Sequence, residues 1–125
     1  MQEYMLLFRN LAPVEAYSSS PEEMEKTIPA WQSWIRGIAE EGRLISTAPL
    51  EREGTFLTKQ STTDGPYAEV KELILGYVAC KAKDMEEAVE IAKGCPIIAD
   101  DGGSVEVRKI ANFEVWVDEL ATNQR

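Results

Sequence analysis

Apolar residues recur along parts of the chain at every third or fourth position, which is the repeat of one face of an α-helix. The longer stretch covers residues 20–41, and its apolar positions are Met24, Ile28, Trp31, Trp34, Ile35 and Ile38. A shorter stretch places Met85, Ala88, Ile91 and Ala92 on one face. The sequence therefore predicts two amphipathic helices, each with one face directed towards a core.

Both helices have recognisable ends. Ser20 and Asp84 are favourable N-cap residues, and each is followed three positions later by a glutamate, as in a capping box. Gly42 and Gly94 end the two helices. Pro29 lies inside the first apolar stripe, which keeps its phase across the proline, so we expect one bent helix rather than two.

The remaining apolar runs are short and predict β-strands. They cover residues 3–8, 44–50, 55–59, 73–81, 104–110 and 113–117, with a hairpin turn at 51–54. Residues 61–69 form a polar stretch rich in turn-forming residues. The strands at 3–8 and 73–81 are apolar on both faces, whereas the strand at 104–110 alternates.

This order of elements predicts a single α+β domain over residues 1–125, with a ferredoxin-like antiparallel sheet and both helices on one face. The strands that are apolar on both faces need cover on the side without helices. An exposed apolar patch of that size is unusual on a monomer. We therefore expect a homodimer in which sheet faces sheet.

Composition and charge narrow the possible chemistry. The chain has 13 Lys and Arg against 22 Asp and Glu, a net charge of −9, which argues against direct nucleic-acid binding. It has no histidine, which excludes histidine-based acid–base catalysis, nucleophile systems and metal sites. No metal or cofactor is expected.

The cysteines and apolar runs bear on the compartment. Cys80 and Cys95 lack the spacing of a zinc site, and no secretory signal is recognisable. We expect two reduced thiols in a cytoplasmic protein. No apolar run is long enough to span a membrane, so no membrane association is expected.

One set of motifs resembles a known family. Asp64-Gly65-Pro66-Tyr67-Ala68-Glu69, then Lys71-Glu72 and Gly76, are similar to the signature of the YCII-related, DGPF-type family, with Tyr67 where Phe is usual. Residues 4–8, 95–96 and 103–108 also match. The resemblance implies a ferredoxin-like subunit that pairs into a dimeric α+β barrel. Enzyme-like members use a His–Asp pair, and this chain has no histidine.

The signature residues are the first candidates for a binding site. Asp64, Gly65 and Pro66 are a turn in the structural interpretation, which is the commoner role of such residues. In the functional interpretation, Asp64, Tyr67 and Glu69 lie beside the strand that lines the barrel. A buried carboxylate would then act as a base, and the tyrosine hydroxyl would donate to an oxyanion.

Two cations and two tryptophans also have alternative interpretations. Lys71 pairs with a neighbouring glutamate or holds a negative ligand. Arg108 lies opposite the apolar side of its strand, where it forms either an ion pair or a fork for a ligand carboxylate. Trp31 and Trp34 are expected to pack in the core, with ligand stacking as the less frequent alternative.

Two functions remain open. The first is a small-molecule enzyme or binding protein with a pocket in the dimeric barrel near residues 64–69, taking a small carboxylate or lactone-like ligand. The sequence assigns no catalytic residue. The second is a non-catalytic dimeric module that binds a protein partner, such as one associated with transcription, through an apolar groove near residues 113–117.

Overall fold

The computed structural model describes residues 1–11, 21–51, 53–60, 62–65, 72–99 and 101–111. Six strands and two helices follow one another in the order β1 (Gln2–Leu11), α1 (Pro21–Glu40), β2 (Leu44–Pro49), β3 (Gly54–Leu57), β4 (Thr62–Gly65), β5 (Glu72–Ala82), α2 (Met85–Lys93) and β6 (Ser104–Lys109). A 3₁₀ turn at Pro96–Ala99 follows α2. The predicted strand at 113–117 lies outside the described residues.

Four strands form an antiparallel sheet in the order β2-β5-β1-β6. The central strand β1 places Leu6 opposite Val78 of β5 on one side and Val107 of β6 on the other. The four-stranded antiparallel sheet and two helices confirm the α+β class, and the strand order is consistent with the predicted ferredoxin-like fold.

The core lies between the two helices and one face of the sheet. Its buried side chains include Tyr4, Leu6, Phe8, Ile38, Val78, Cys80, Ala88 and Ala92. The three β1 residues alternate along their strand, as the two-residue repeat of a strand requires. Full burial of one large apolar side chain contributes about 1.5–3 kcal/mol, so this layer supplies much of the stability of the fold.

Two residues predicted for the core are instead exposed. Met85 is 43% exposed and Ile28 is 45% exposed. Met85 is the first residue of α2, and the buried residues of that helix, Ala88 and Ala92, lie further along it. A periodic pattern gives the face of a helix, but not how far the sheet extends beneath it.

The predicted hairpin between the second and third strands is wrong. β2 pairs with β5, with Thr47 opposite Val78, whereas β3 pairs with β4 in a separate two-stranded sheet. Residues 62–65, which the sequence places in a turn-rich stretch, form β4. Turn-forming residues show where a strand ends, but not which strand becomes its partner.

The described helix ends agree with the predictions, whereas the predicted N-cap residue Ser20 lies outside the described residues. The Asp84 side chain accepts a hydrogen bond of 2.9 Å from the backbone N–H of Glu87, and Gly94 caps the other end of α2. α1 continues through Pro29 and is followed by Gly42, whose φ of 73° is left-handed. No helix in the described ranges has both the length and the apolar character needed to cross a bilayer.

Candidate functional site

A partly open cleft of about 390 Å³ lies between the middle of α1 and the neighbouring ends of β2 and β5. It is lined by Phe8, Thr27, Ile28, Trp31, Gln32, Ile35, Thr47, Ala48, Pro49 and Leu75. None of these ten described residues carries a charge. A concave, mostly apolar cavity of this size is typical of small-molecule sites.

A β-bulge helps to shape the cleft. Along the β1–β5 ladder, Phe8 is opposite Gly76 and Arg9 is opposite Ile74, so Leu75 is the extra residue between them. A bulge bends its strand and redirects a side chain. Leu75 accordingly packs against the core and lines the cleft together with Phe8.

Gly76 keeps the sheet closely packed beside this bulge. A Cβ on Gly76 would lie 2.8 Å from the carbonyl oxygen of Ala48 and 3.2 Å from the Cα of Pro49. The absence of a side chain therefore allows β2 to approach β5 at the point where both strands form the wall of the cleft.

Three aromatic rings pack together beside the cleft, and two of them, Phe8 and Trp31, line it. Phe8 contacts Trp31 with ring centroids 5.0 Å apart and Trp34 with centroids 5.8 Å apart, both edge to face. The Trp34 indole N–H donates a 3.0 Å hydrogen bond to the carbonyl of Ile91 in α2, which fixes this ring between the helices. Both tryptophans thus pack as predicted, and Trp31 also faces the cleft.

The polar groups of the cleft lie on Thr27, Gln32 and Thr47. The Thr47 hydroxyl donates a 2.9 Å hydrogen bond to the backbone carbonyl of Tyr77, and its oxygen retains the capacity to accept. Gln32 is exposed. These groups can orient a neutral polar atom of a ligand.

The residues of the family signature are described only in part. Asp64 and Gly65 lie in β4, paired with Thr55 and Gly54, so they belong to a strand rather than to the predicted turn. The side chain of Asp64 is not among those described. Pro66, Tyr67, Glu69 and Lys71 lie outside the described residues, so their role in a site stays a prediction.

Arg108 is exposed on β6, opposite Met5 of β1 and away from the cleft. The described part of the chain provides no ion pair for it. The ion pair of this region joins Arg9 and Glu106 instead, at 2.7 Å. The predicted strand-face ion pair of Arg108 is therefore not observed among the described residues, and its ligand role stays a prediction.

A second polar cluster lies at the other end of β2. The guanidinium of Arg43 forms ion pairs with Glu87 and, at 3.1 Å, with Glu41. Glu87 also accepts a 2.9 Å hydrogen bond from the backbone N–H of Lys83. This backbone hydrogen bond and the Arg43 guanidinium hold the pKa of Glu87 below its usual value. The cluster connects the segment after α1 to the start of α2.

The two cysteines are free and buried, which confirms the prediction of reduced thiols. Burial raises the pKa of Cys95 to about 11 and also raises the pKa of Cys80. At neutral pH both thiols are therefore protonated and poor nucleophiles. Within the described residues, no group of three or more cysteine or acidic side chains is arranged to hold a metal ion.

Sequence reasoning missed most of the cleft. Its residues come from β1, α1, β2 and β5, and none of them belongs to a catalytic or binding motif. Ile28 and Trp31 belong to the predicted helix stripe, but the stripe alone does not show that part of it lies over a cavity. The available signal was the apolar character of the cleft residues in α1 and in the strands that border it.

Comparison with known proteins identifies a family and a distant relative. The family model described as YCII-related domain matches residues 3–114. A Rhizobium meliloti (strain 1021) protein described as uncharacterized is 30% identical over 101 residues, which cover 76% of this chain and 82% of that protein. All ten residues of the cleft lie within the matched residues 3–114.

Proposed function

The chain belongs to the YCII-related domain family, and from that starting point we propose that it is a small-molecule-binding protein whose ligand occupies the cleft between α1 and the ends of β2 and β5. The observation that carries this proposal is the cleft itself, an apolar cavity of about 390 Å³ formed by four elements. Its volume lies in the range of known ligand pockets.

The cleft supports binding more directly than catalysis. Its ten described lining residues include no carboxylate, amine, thiol or phenol. These residues can exclude water and orient a ligand, but a proton transfer needs a titratable group from elsewhere. Asp64, Tyr67 and Glu69 remain our candidates, because they belong to the stretch of chain that precedes β5 and Leu75.

A thermal-shift screen of neutral and anionic two-ring compounds tests the binding proposal. We expect at least one compound to raise the Tm of the protein. Ile28→Trp should abolish the rise, because Ile28 lines the cleft and is 45% exposed, so a larger ring there fills the cavity without disturbing the core. Ile98→Trp is the matched control, since Ile98 is 48% exposed and is not in the lining.

Two results would contradict the proposal. One is a screen in which no compound raises the Tm. The other is a rise that persists unchanged in Ile28→Trp, which would locate the ligand elsewhere. In that case Asp64→Asn and Arg108→Gln become the informative variants, because they remove the charge of the other candidate residues and retain similar size.

We also propose that the protein is a homodimer. Its sheet carries an apolar strip on the face away from the helices, formed by Met5, Leu7, Ile74, Tyr77 and Ala79. Charged residues of both signs lie beside this strip, including Arg108 and the Arg9–Glu106 pair. A second copy related by a two-fold axis would present the same apolar strip and the same mixture of charges.

The alternative function, a module that binds a protein partner, draws support from β3. Phe56 and Leu57 are 41% and 67% exposed there. Under this alternative, the Phe56→Ser and Leu57→Ser double variant keeps its fold but no longer binds the partner protein. Under the binding proposal, the compounds that raise the Tm of the wild type also raise the Tm of this variant.

A further inference from the structure

The geometry points to an uncharged ligand for the cleft, a compact molecule of about two fused rings bearing a neutral polar group; this inference rests on the proposed function. Of the two ligand classes that the sequence suggests, it selects the lactone-like class over the carboxylate.

The uncharged lining of the cleft favours a neutral ligand. None of its ten described lining residues is charged. Arg9 forms an ion pair with Glu106, and Arg43 forms one with Glu87. Arg108 lies on β6, outside the lining. A carboxylate that entered the cleft would lose hydration without gaining a counter-charge from these residues, which is costly.

Neither the net charge nor the dipole of α1 compensates an anion in the cleft. The chain carries a net charge of −9, which disfavours the approach of an anionic ligand. The positive end of the α1 dipole lies at Pro21, and the lining begins only at Thr27. The influence of a helix dipole falls off within about one turn, so it does not extend to the cleft.

The shape of the cleft sets the size of the ligand. A volume of about 390 Å³ corresponds to roughly a dozen water molecules at about 30 Å³ each. Two fused rings fit within that space and leave part of it to water. The Trp31 and Phe8 rings, inclined at 64° to each other, offer apolar surfaces in different orientations. The Gln32 side-chain N–H can donate to a ligand carbonyl, and the Thr47 hydroxyl oxygen can accept a hydrogen bond from a ligand hydroxyl.

Coumarin and coumarin-3-carboxylate provide a matched pair of probes, because they share one bicyclic lactone and differ by a carboxylate. Isothermal titration at physiological ionic strength should show coumarin binding at least tenfold more tightly to the wild type. Gln32→Lys should reduce the ratio of the two dissociation constants at least threefold, because it strengthens the binding of the carboxylate. Gln32 is an exposed lining residue, so the variant retains its core.

Ser33→Lys is the control for net charge. Ser33 is the next residue of α1, is exposed and does not line the cleft. We expect it to change the ratio less than Gln32→Lys does, because a residue outside the lining places its ammonium group farther from a ligand in the cleft. If Ser33→Lys narrows the ratio as much as Gln32→Lys does, the charge effect is not local and the inference is overturned.

The two proposals fail in different ways. Equal or tighter binding of coumarin-3-carboxylate to the wild type, lost in Ile28→Trp, overturns the neutral ligand class and leaves the cleft as a binding site. If neither probe binds and no compound raises the Tm, the proposed function and the ligand class both fall.

Discussion

Gly103 and Gly37 illustrate how the same substitution has opposite consequences at different positions. Gly103 follows the 3₁₀ turn, and a Cβ there would overlap the backbone carbonyl oxygen of Ile97. Gly37 lies in α1, and a Cβ there would meet nothing within 4 Å. One glycine is required by the close approach of two backbone segments, and the other is not.

We predict that Gly103→Ala destabilises the protein by more than about 2 kcal/mol, because the overlapping atoms belong to backbone that cannot rotate away. Gly37→Ala should stabilise it by about 0.5–1 kcal/mol, the usual gain when alanine replaces glycine inside a helix. Urea denaturation measures both values. A Gly103→Ala variant as stable as the wild type would show that the 3₁₀ turn shifts freely.

The raised pKa of Cys95, about 11, gives a prediction about reactivity. At pH 8 iodoacetamide should modify neither Cys95 nor Cys80 in the folded protein, because both thiols are buried and protonated. In denaturant, mass spectrometry should show two adducts. Rapid modification of the folded protein would contradict the buried position of these residues.

At the scale of elements, the ends of a helix were predicted correctly, whereas the pairing partner of a strand was not. Asp84 and Gly94 mark α2 correctly because caps depend on residues within one turn. β2 was assigned the wrong partner because pairing with β5 depends on contacts far along the chain. The same limit applies to the cleft, whose walls meet only after α1 packs over β2 and β5.

The bulge at Leu75 could not be predicted either. An apolar run such as residues 73–81 shows a buried strand but no change of register within it. The register shift determines that Leu75 faces the cleft, so sequence alone gives neither the cavity nor its lining. The predicted site near residues 64–69 remains a separate expectation, with Asp64 and Gly65 now in a strand.

The cluster around Glu87 gives a prediction about pH. Because the pKa of Glu87 is lowered in the folded state, its charge stabilises the fold above the usual glutamate pKa of about 4.3. This stabilisation is lost as the pH falls through the lowered value. Glu87→Gln should therefore lower the Tm at pH 7, and the difference from wild type should shrink towards pH 3.

Glu90→Gln is the control for this prediction. Glu90 pairs with Lys93 at 2.8 Å, but both side chains are well exposed, and such surface pairs contribute little. Thermal unfolding followed by circular dichroism at pH 7 and pH 3 compares the two variants. A larger effect of Glu90→Gln at pH 7 would show that the Arg43–Glu87 connection is unimportant.

For the whole molecule, the molar mass in solution tests the proposed dimer. Light scattering should give twice the chain mass of 14.0 kDa. Leu7→Lys should give the single-chain mass with the fold retained, because it places a charge in the apolar strip and leaves the core residues Leu6 and Phe8 in place. Ile98→Lys, an exposed position on the 3₁₀ turn, should leave the mass unchanged.

The central position of β1 has a consequence for how the protein is made. This strand is translated before both of its neighbours, Glu72–Ala82 and Ser104–Lys109. Because synthesis proceeds from the N-terminus, Leu6 and Phe8 cannot pair with β6 until that strand has been synthesised and has left the ribosome. Pairing across so long a separation is slow. The growing chain therefore carries an unpaired apolar strand, and chaperones that shield nascent apolar segments should raise its yield more than that of a protein whose first strand closes a local hairpin.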